Sequence, residues 1–299
     1  MKLSIAVITM NRAGQIREAL ESCLACALPE QTEFVIIDNA STDQTEETVH
    51  GVLKDCGYEY YYEKLPENLG VGGGRNYAFS KASGDYVYML DDDAVIAEEN
   101  YNDFFTKAAD ILDQNPLIAS LTTQIYDTAW QRNRVENGGP AVSDAVYKSL
   151  MFCGGSHFLR RSFYKAEPYL PNKYGYEEIP PSLRAMNAGM INAFCPELRI
   201  IHKPAVNKWD YSEEKNHELL IKGTALPYAI KKMMYPVLAR PFLMLANARR
   251  IKLYLNDVRD ADARVKAAEK QFCKEYPIQE KIKFSTLCNM FRDFKLSVF

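Results

Sequence analysis

The chain has 299 residues, 47% of them hydrophobic and 25% charged. Those proportions exclude a wholly disordered, collagen-like or low-complexity chain, and at about 150 residues per domain the length suits one or two domains with a large core. Basic and acidic residues nearly cancel, 36 against 39, for a net charge of -3. Bulk charge therefore offers nothing to nucleic acid, and any anion must be met by a local patch.

The first 125 residues alternate strand and helix. Leu3 to Thr9 reads as a strand, followed by Ile16, Ala19, Leu20, Cys23, Leu24 and Ala27 at helical spacing up to Pro29. Phe34 to Ile37 is a short apolar strand, and Asp43 is placed to cap a helix with Glu46 and Glu47 in its first turn. Tyr58 to Tyr62 is a third strand. A glycine-rich stretch, Gly70 to Gly74, leads into a helix through Tyr77 and Ala78. Tyr86 to Leu90 is a fourth strand, Phe104 to Leu112 an amphipathic helix, and Leu117 to Thr122 a fifth strand. The alternation predicts an α/β fold with right-handed crossovers and a mostly parallel sheet.

Ligands of such sheets sit at the carboxyl ends of the strands. That rule singles out Thr9-Met10-Asn11, Asp38-Asn39, Asn68 with the glycines, and Asp91-Asp92-Asp93. Three adjacent carboxylates repel one another, and Mg²⁺ or Mn²⁺ held by one or two of them would relieve this, leaving coordination sites for substrate phosphates. The plainer alternative is a solvated acidic turn. Gly70 and Gly72 to Gly74 would let backbone approach a ligand, with the Arg75 guanidinium beside it. They fit neither a Walker loop nor a dinucleotide fingerprint.

Seven cysteines, at 23, 26, 56, 153, 195, 273 and 288, cannot all pair, which points to reduced thiols in a cytoplasmic protein. Cys23 and Cys26 form a lone CxxC within an apolar helical pattern and read as buried thiols. No secretion signal follows Met1-Lys2, and no uncharged apolar run approaches the ~18 residues of a membrane span. Residues 126 to 150 read as an irregular excursion, and 152 to 202 as a segment rich in proline and tyrosine. From Leu219 to Asn256 there are seven basic residues and no acidic ones.

Taken together, Ser4-Ile-Ala-Val-Ile-Thr-Met-Asn-Arg12, Phe34-Val-Ile-Ile-Asp-Asn-Ala-Ser-Thr-Asp43, Asn68-Leu-Gly70, Gly73-Gly-Arg-Asn76 and Tyr88-Met-Leu-Asp-Asp-Asp93 resemble glycosyltransferase family 2, which has the GT-A fold. The resemblance implies a nucleotide-sugar site. Asp38 would meet the base, Asp91 the ribose side, Asp93 the metal as the last residue of a DxD motif, and Arg75 the neighbourhood of the diphosphate. Thr9, Asn11, Asn68, Gly70 and Asp92 complete the donor-binding set. The second half is similar to rhamnosyl- and other polysaccharide transferases of the cell envelope. Gly154-Gly155 opens the acceptor region, Glu177-Glu178 stands where the family usually has Glu-Asp, and Arg184, Ala188-Gly189, Pro196 and His202 keep the spacing. His202 becomes a metal or diphosphate contact. Pro180-Pro181 departs from the family's Asp-Leu, although proline is tolerated in a first helical turn. His157 and His50 gain no such role, and Trp209 is either packing or a platform for a sugar ring.

The implied reaction moves a sugar from a nucleoside diphosphate, UDP or dTDP, to a hydroxyl of a glycan or lipid-linked acceptor, with inversion. The departing charge needs an electrophile and the hydroxyl needs a base. Glu178 is assigned as that base, with Glu177 in support or as the base itself. The expected organisation is a nucleotide-sugar-binding half over 1-125, an acceptor-binding and catalytic half over 126-210, and a helical, basic extension over 211-299. Rival readings are a nucleotide-sugar nucleotidyltransferase, whose basic glycine loop is poorly matched by Thr9 to Gly14, and a non-catalytic sugar-binding homologue. The extension, cut into short helices by Pro227, Pro236 and Pro241, either lies peripherally on the inner face of a membrane or packs within the protein or a homo-oligomer.

Overall fold

Leu3, Ile5 and Val7 point to one face of the first strand and Ala6 and Ile8 to the other, so this strand has to be covered on both sides. A computed structural model, which describes residues 2–135, 138–173, 175–204 and 212–299, shows how that is done. In chain order the elements begin β1 (Leu3–Thr9), α1 (Ala13–Leu24), β2 (Thr32–Asp38), α2 (Thr45–Leu53), β3 (Glu59–Lys64), α3 (Gly70–Lys81), β4 (Tyr86–Asp91) and β5 (Ala94–Ile96). They continue with α4 (Phe104–Gln114), β6 (Ile118–Asp127), β7 (Arg132–Asn133), β8 (Ala141–Ser143), β9 (Val146–Lys148), β10 (Ser156–Arg160), α5 (Ile179–Asn187) and β11 (Ile191–His202). The helices α6 (Glu213–Met234), α7 (Arg240–Tyr254), α8 (Ala261–Glu275) and α9 (Phe284–Phe294) follow.

Among the described residues the strands form one sheet, in the order β3-β2-β1-β4-β10-β6-β11-β9-β8, with β5 on β11 and β7 on β6. The expected α/β architecture is present. β3, β2, β1 and β4 run parallel, β10 is antiparallel between β4 and β6, and β11 returns parallel to β6. β1 lies between β2 and β4, so the chain leaves it in opposite directions, and the crevice at that switch opens at the carboxyl ends of β1 and β4. One face of the sheet is covered by α1 and α4, through Ile16, Leu20, Phe104 and Phe105. The other is covered by α3 and the chain around Tyr164 and Tyr169. Cys23 and Cys26 are buried in the first of these cores as free thiols, as their helical pattern predicted.

Several boundaries differ from the sequence reading. β6 runs five residues past Thr122 to Asp127, because its register partner β11 continues to His202. The excursion over 126–150 contains the short strands β7, β8 and β9. The glycine-rich stretch does not precede α3 but forms its first turns. Gln44 holds the formal cap position of α2, while Asp43 still accepts the Thr45 N–H at 3.1 Å. Pro227 does not end a helix. It lies inside the 22-residue α6, where the buried neighbours Ala225, Leu226, Ala229 and Ile230 offset the cost of about 3 kcal/mol that an interior proline carries. Pro180 and Pro181 sit in the first turn of α5.

Met1–Ala185 with Met190–Ala205 forms one compact unit, and Met186–Gly189 with Val206–Phe299 a second. No helix among the described residues is long and apolar enough to cross a membrane.

The glycines of α3 give a direct test of this packing. A Cβ on Gly72 would lie 1.9 Å from the main-chain oxygen of Leu170, whereas one on Gly51, in α2, meets nothing within 4 Å. Gly72→Ala is expected to lower stability by about 1–3 kcal/mol, and Gly51→Ala to raise it by about 0.5–1 kcal/mol, read as urea midpoints at constant slope. Equal midpoints for the two variants would contradict the close approach at Gly72.

Candidate active site

The crevice at the switch is a cavity of about 590 Å³, and all of its walls belong to the first compact unit. β1 contributes Thr9, with Arg12 just beyond it. β4 contributes Asp91, and the turn after it Asp92 and Asp93. The start of α3 supplies Gly70 and Arg75, the segment before β10 supplies Gly154 and Gly155, and Glu177, Glu178 and His202 close the far side.

Arg75 holds the two sides together. Only 4% exposed, it donates to Asp91 Oδ1 at 2.6 Å with one amino group and to Glu177 with the other. Burial opposes its charge, but Asp91 and Glu177 outweigh that and keep the guanidinium protonated. Two glycines make room for the pair. A Cβ on Gly154 would lie 2.9 Å from Arg75 Nη1, and one on Gly155 would lie 3.0 Å from Asp91 Oδ2. Arg75 was expected near the diphosphate. It lines the cavity, but its charge is already engaged by carboxylates.

The three aspartates are treated differently. Arg12 Nη1 donates to Asp92 Oδ1 and Asp93 Oδ2, both at 2.7 Å. Burial pushes Asp92 up to about 6 despite Arg12. Burial acts on Asp93 too, but the hydrogen bond and charge of His202, with those of Arg12, hold that carboxyl below its usual range. Asp91, Asp93 and His202 each direct one ligand atom to a common point, the atoms lying within 4.8 Å of one another. Two carboxylates and an imidazole suit Mn²⁺ or Mg²⁺, with positions left open, so the donor set fits such an ion.

His202 reaches this point because β11 and β6 are in parallel register, which sets it beside Asp127. Its Nε2 lies 3.2 Å from Asp93 Oδ1 and its Nδ1 3.1 Å from Asp127 Oδ2. Arg134 donates to the same Asp127 oxygen at 2.9 Å. Nε2 thus faces Asp93, and Nδ1 lies within reach of both Asp127 Oδ2 and Arg134 Nη2, the latter at 2.9 Å. Were a metal to replace the Nε2 contact, Asp127 would be the acceptor for Nδ1–H.

Glu177 and Glu178 are positioned by the glycine face of α3. The Leu170 carbonyl packs on Gly72, Asn76 exchanges two hydrogen bonds of 2.9 Å with the main chain of Tyr169, and Leu170 N donates to the Glu177 carbonyl at 3.2 Å. The glycines thus admit the protein's own backbone. Glu177 is buried against Arg75. Glu178 is half-buried, and desolvation followed by the neighbouring Glu177 carboxylate push it up to about 8.

Thr9, Asn68, Gly70, Arg75, Asp91, Asp92, Asp93, Glu177, Glu178 and His202 therefore come together, while Asn11 and Asp38 are not among the lining residues. Asp38 is fully buried, accepting from Ser41 N at 2.7 Å and Tyr62 Oη at 2.8 Å. Asn11 has a positive φ of 54° and its Oδ1 accepts from Thr42 N at 2.7 Å, bracing the β1 and β2 loops. His157 is structural: stacked on Phe152 and bonded to Tyr169 Oη at 2.6 Å, it is pushed down to about 3 by burial. His50 packs against Tyr60 and Tyr62. Trp209 lies outside the described residues. Arg12, Asp127 and Arg134 were not anticipated as site residues. Extending β6 to its true end would have placed Asp127 under the strand-end rule.

Residues 4–166 match the sequence family described as Glycosyl transferase family 2, which is more than half of the chain. The chain belongs to glycosyltransferase family 2. It is 31% identical over 117 residues to an uncharacterized glycosyltransferase of Haemophilus influenzae, a match covering 39% of this chain and 44% of the relative. The chain thus spans less than half of that relative's length. It is 32% identical over 92 residues to the Campylobacter jejuni GalNAc(5)-diNAcBac-PP-undecaprenol beta-1,3-glucosyltransferase, 31% of this chain and 29% of that one. In fold it is similar to a mannosyltransferase from Pyrobaculum calidifontis in complex with GDP-Man and Mn²⁺, with a TM-score of 0.61 at 17% identity, over 100% of this chain and 81% of that one.

The turn after Asp127 gives a test of how His202 is oriented. Asp127 Oδ1 accepts from Ala129 N and Trp130 N, at 3.0 and 3.2 Å. In Asp127→Asn the side-chain oxygen stays with those donors, and the amide NH₂ faces His202 and Arg134. Titration of Mn²⁺ by calorimetry is expected to show affinity lowered about 10- to 100-fold, with Asp93→Ala losing binding altogether. Parent-like affinity in Asp127→Asn would remove Asp127 from any role at the metal position.

Proposed function

We propose that the protein is a metal-dependent, inverting glycosyltransferase that moves a sugar from a nucleoside-diphosphate-sugar to a hydroxyl of a glycan or lipid-linked acceptor. One observation carries this reading. A metal-competent triad, Asp91, Asp93 and His202, and a half-buried carboxylate of raised pKa, Glu178, line the same cavity. The lipid-linked acceptor named for the Campylobacter relative supports the acceptor class, and the GDP-Man and Mn²⁺ bound by the Pyrobaculum neighbour support the donor and the ion. The seven free cysteines fit a cytoplasmic setting.

A bound Mg²⁺ or Mn²⁺ would supply electrophilic stabilisation for the departing diphosphate. The chain's own part is to position and to move a proton. Asp91 is held by Arg75 and Asp93 by Arg12 and His202, so the ligand atoms are oriented before any ion arrives. Glu178 removes the proton from the acceptor hydroxyl as it attacks the anomeric carbon. A carboxylate near 8 is a far stronger base than an ordinary one, although only about a tenth of it is unprotonated at neutrality and about half near pH 8. Glu177 cannot serve as well, because Arg75 occupies one oxygen and the other is buried. Its part is to hold Arg75 and, by its charge, to raise Glu178. A single displacement inverts the anomeric centre. The β1 loop favours no nucleotidyl transfer, since Arg12 is engaged by Asp92 and Asp93.

Glu178→Gln keeps size and hydrogen bonding but cannot accept the proton. Its turnover is expected to fall roughly 10²- to 10⁴-fold while donor binding, measured by calorimetry, stays near that of the parent. A large loss in Glu177→Gln with Glu178→Gln nearly normal would reverse the assignment.

The pH profile follows from the sign of the shift. A base must be unprotonated in the free enzyme, and Glu178 is pushed up to about 8. For the parent, kcat/KM is expected to rise with pH and level off above about 8, and the residual activity of Glu178→Gln to lack that rise. A parent profile flat from pH 6 to 9 would exclude Glu178 as the titrating base.

A further inference from the structure

The second compact unit carries an apolar face that the catalytic reading does not use. α7 buries Leu243 on one side. On the opposite side Phe242 and Leu245 are 56% and 72% exposed, and Leu253 and the preceding Leu238 are 58% and 72% exposed. Positions 242, 245, 249 and 253 recur at three- and four-residue steps, so they share one helix face. The patch extends beyond α7. Phe242 stacks on Phe299 with ring centroids 5.3 Å apart, and Phe299 lies 6.3 Å from Phe291, itself 45% exposed. Contiguous exposed apolar surface of this kind marks an interaction site rather than ordinary surface.

Charge selects the partner. Arg249 lies within the apolar stripe, Lys252 beside it and Arg240 at the start of the helix, all exposed. α7 itself carries no acidic residue; Arg240 shares a pocket with Asp262 and Glu269 of α8, which leaves Arg249 and Lys252 as the bases of this face. In a two-fold contact with a second copy, the same patch meets itself, so these cations would face one another across a desolvated surface. An anionic bilayer has the complementary pair of properties, acyl chains for the leucines and phenylalanine and a negative headgroup plane for the bases, whose stems reach outward from an apolar face. We propose that the exposed face of α7, built on Leu238, Phe242, Leu245 and Leu253 with Arg249 and Lys252, docks on an anionic lipid bilayer. The helix lies on the surface and does not span it, in keeping with its 15-residue length and its charges. This inference is independent of the catalytic reading, since it uses no residue of the cavity.

The test is flotation of the full chain with vesicles of phosphatidylcholine alone or with one third phosphatidylglycerol, at low and high salt, beside its sedimentation in solution. The parent should float with the anionic vesicles at low salt, remain behind with the neutral ones, and be released as salt rises. Phe242→Ser/Leu245→Ser and Arg249→Glu/Lys252→Glu should each lower the bound fraction at limiting lipid at least about tenfold. Arg249 and Lys252 are exposed, so Arg249→Glu/Lys252→Glu should keep the parent's thermal midpoint. Phe242→Ser/Leu245→Ser gives up the stack on Phe299 and should lower it slightly, and both variants should keep the parent's Mn²⁺ affinity. Failure to float with anionic vesicles at low salt would overturn the proposal. So would a concentration-dependent dimer that the Phe242→Ser/Leu245→Ser variant abolishes, because the face would then belong to a second copy.

Discussion

The site is organised around one buried cation. Arg75 lies beneath the cavity between Asp91, at the end of β4, and Glu177, in the segment that carries Glu178. A guanidinium removed from water is tolerated only when its charge and its donors are met, and losing one partner of such a pair costs about 3–5 kcal/mol. The chain around it is shaped accordingly. Gly154 and Gly155 leave the space that Arg75 and Asp91 occupy, and the Tyr169 ring lies 5.9 Å from the guanidinium carbon. The fork geometry of arginine allows one side chain to orient two carboxylates on separate segments, which a lysine could not do. The end of β4 and the segment carrying Glu177 and Glu178 are thereby fixed to each other within the first compact unit.

The acidic run after β4 illustrates how one sequence feature divides its labour. The structure gives Asp91 the Arg75 guanidinium and has Asp92 and Asp93 share Arg12, with His202 beside Asp93. Repulsion among them is relieved in part by the protein itself. What remains is a point faced by Asp91, Asp93 and His202, backed by Asp127 and Arg134. The same arrangement that satisfies these charges also pre-orients them, which is why a site so charged belongs to an ordered fold.

Two elements show why part of this was hidden from the sequence. Gly70 to Gly74 signals close approach by something, and that much is local: a missing Cβ is visible in the residue name. Which atoms approach is not local. Leu170 and Lys173 lie about a hundred positions away, and only the folded chain brings their backbone against Gly72 and Gly70. Asp127 was obscured for another reason. Apolar patterning marks where a strand is buried, and Thr122 to Gln124 are polar residues buried in the sheet, so the pattern stops before the strand does. Pro227 is the converse case, a strong local signal overridden by packing along α6.

The sequence by itself determined the alternation of β1 to β6 with their helices, the gathering of polar and acidic residues after β1 and β4, and the motifs that single out Asp91 to Asp93, Glu177, Glu178 and His202, which line one cavity. Apolar period, turn chemistry and motif spacing are properties of neighbouring residues, and they survive without a fold. Tertiary structure alone decided who pairs with whom. It buried Asp38 and tied the exposed Asn11 to the β2 loop, engaged the charge of Arg75 with Asp91 and Glu177, and brought Asp127 to His202 through strand register. It also left the apolar face of α7 uncovered. These outcomes depend on distances between segments far apart in the chain, and on the cost of burying a charge, and neither is written in any short stretch of sequence.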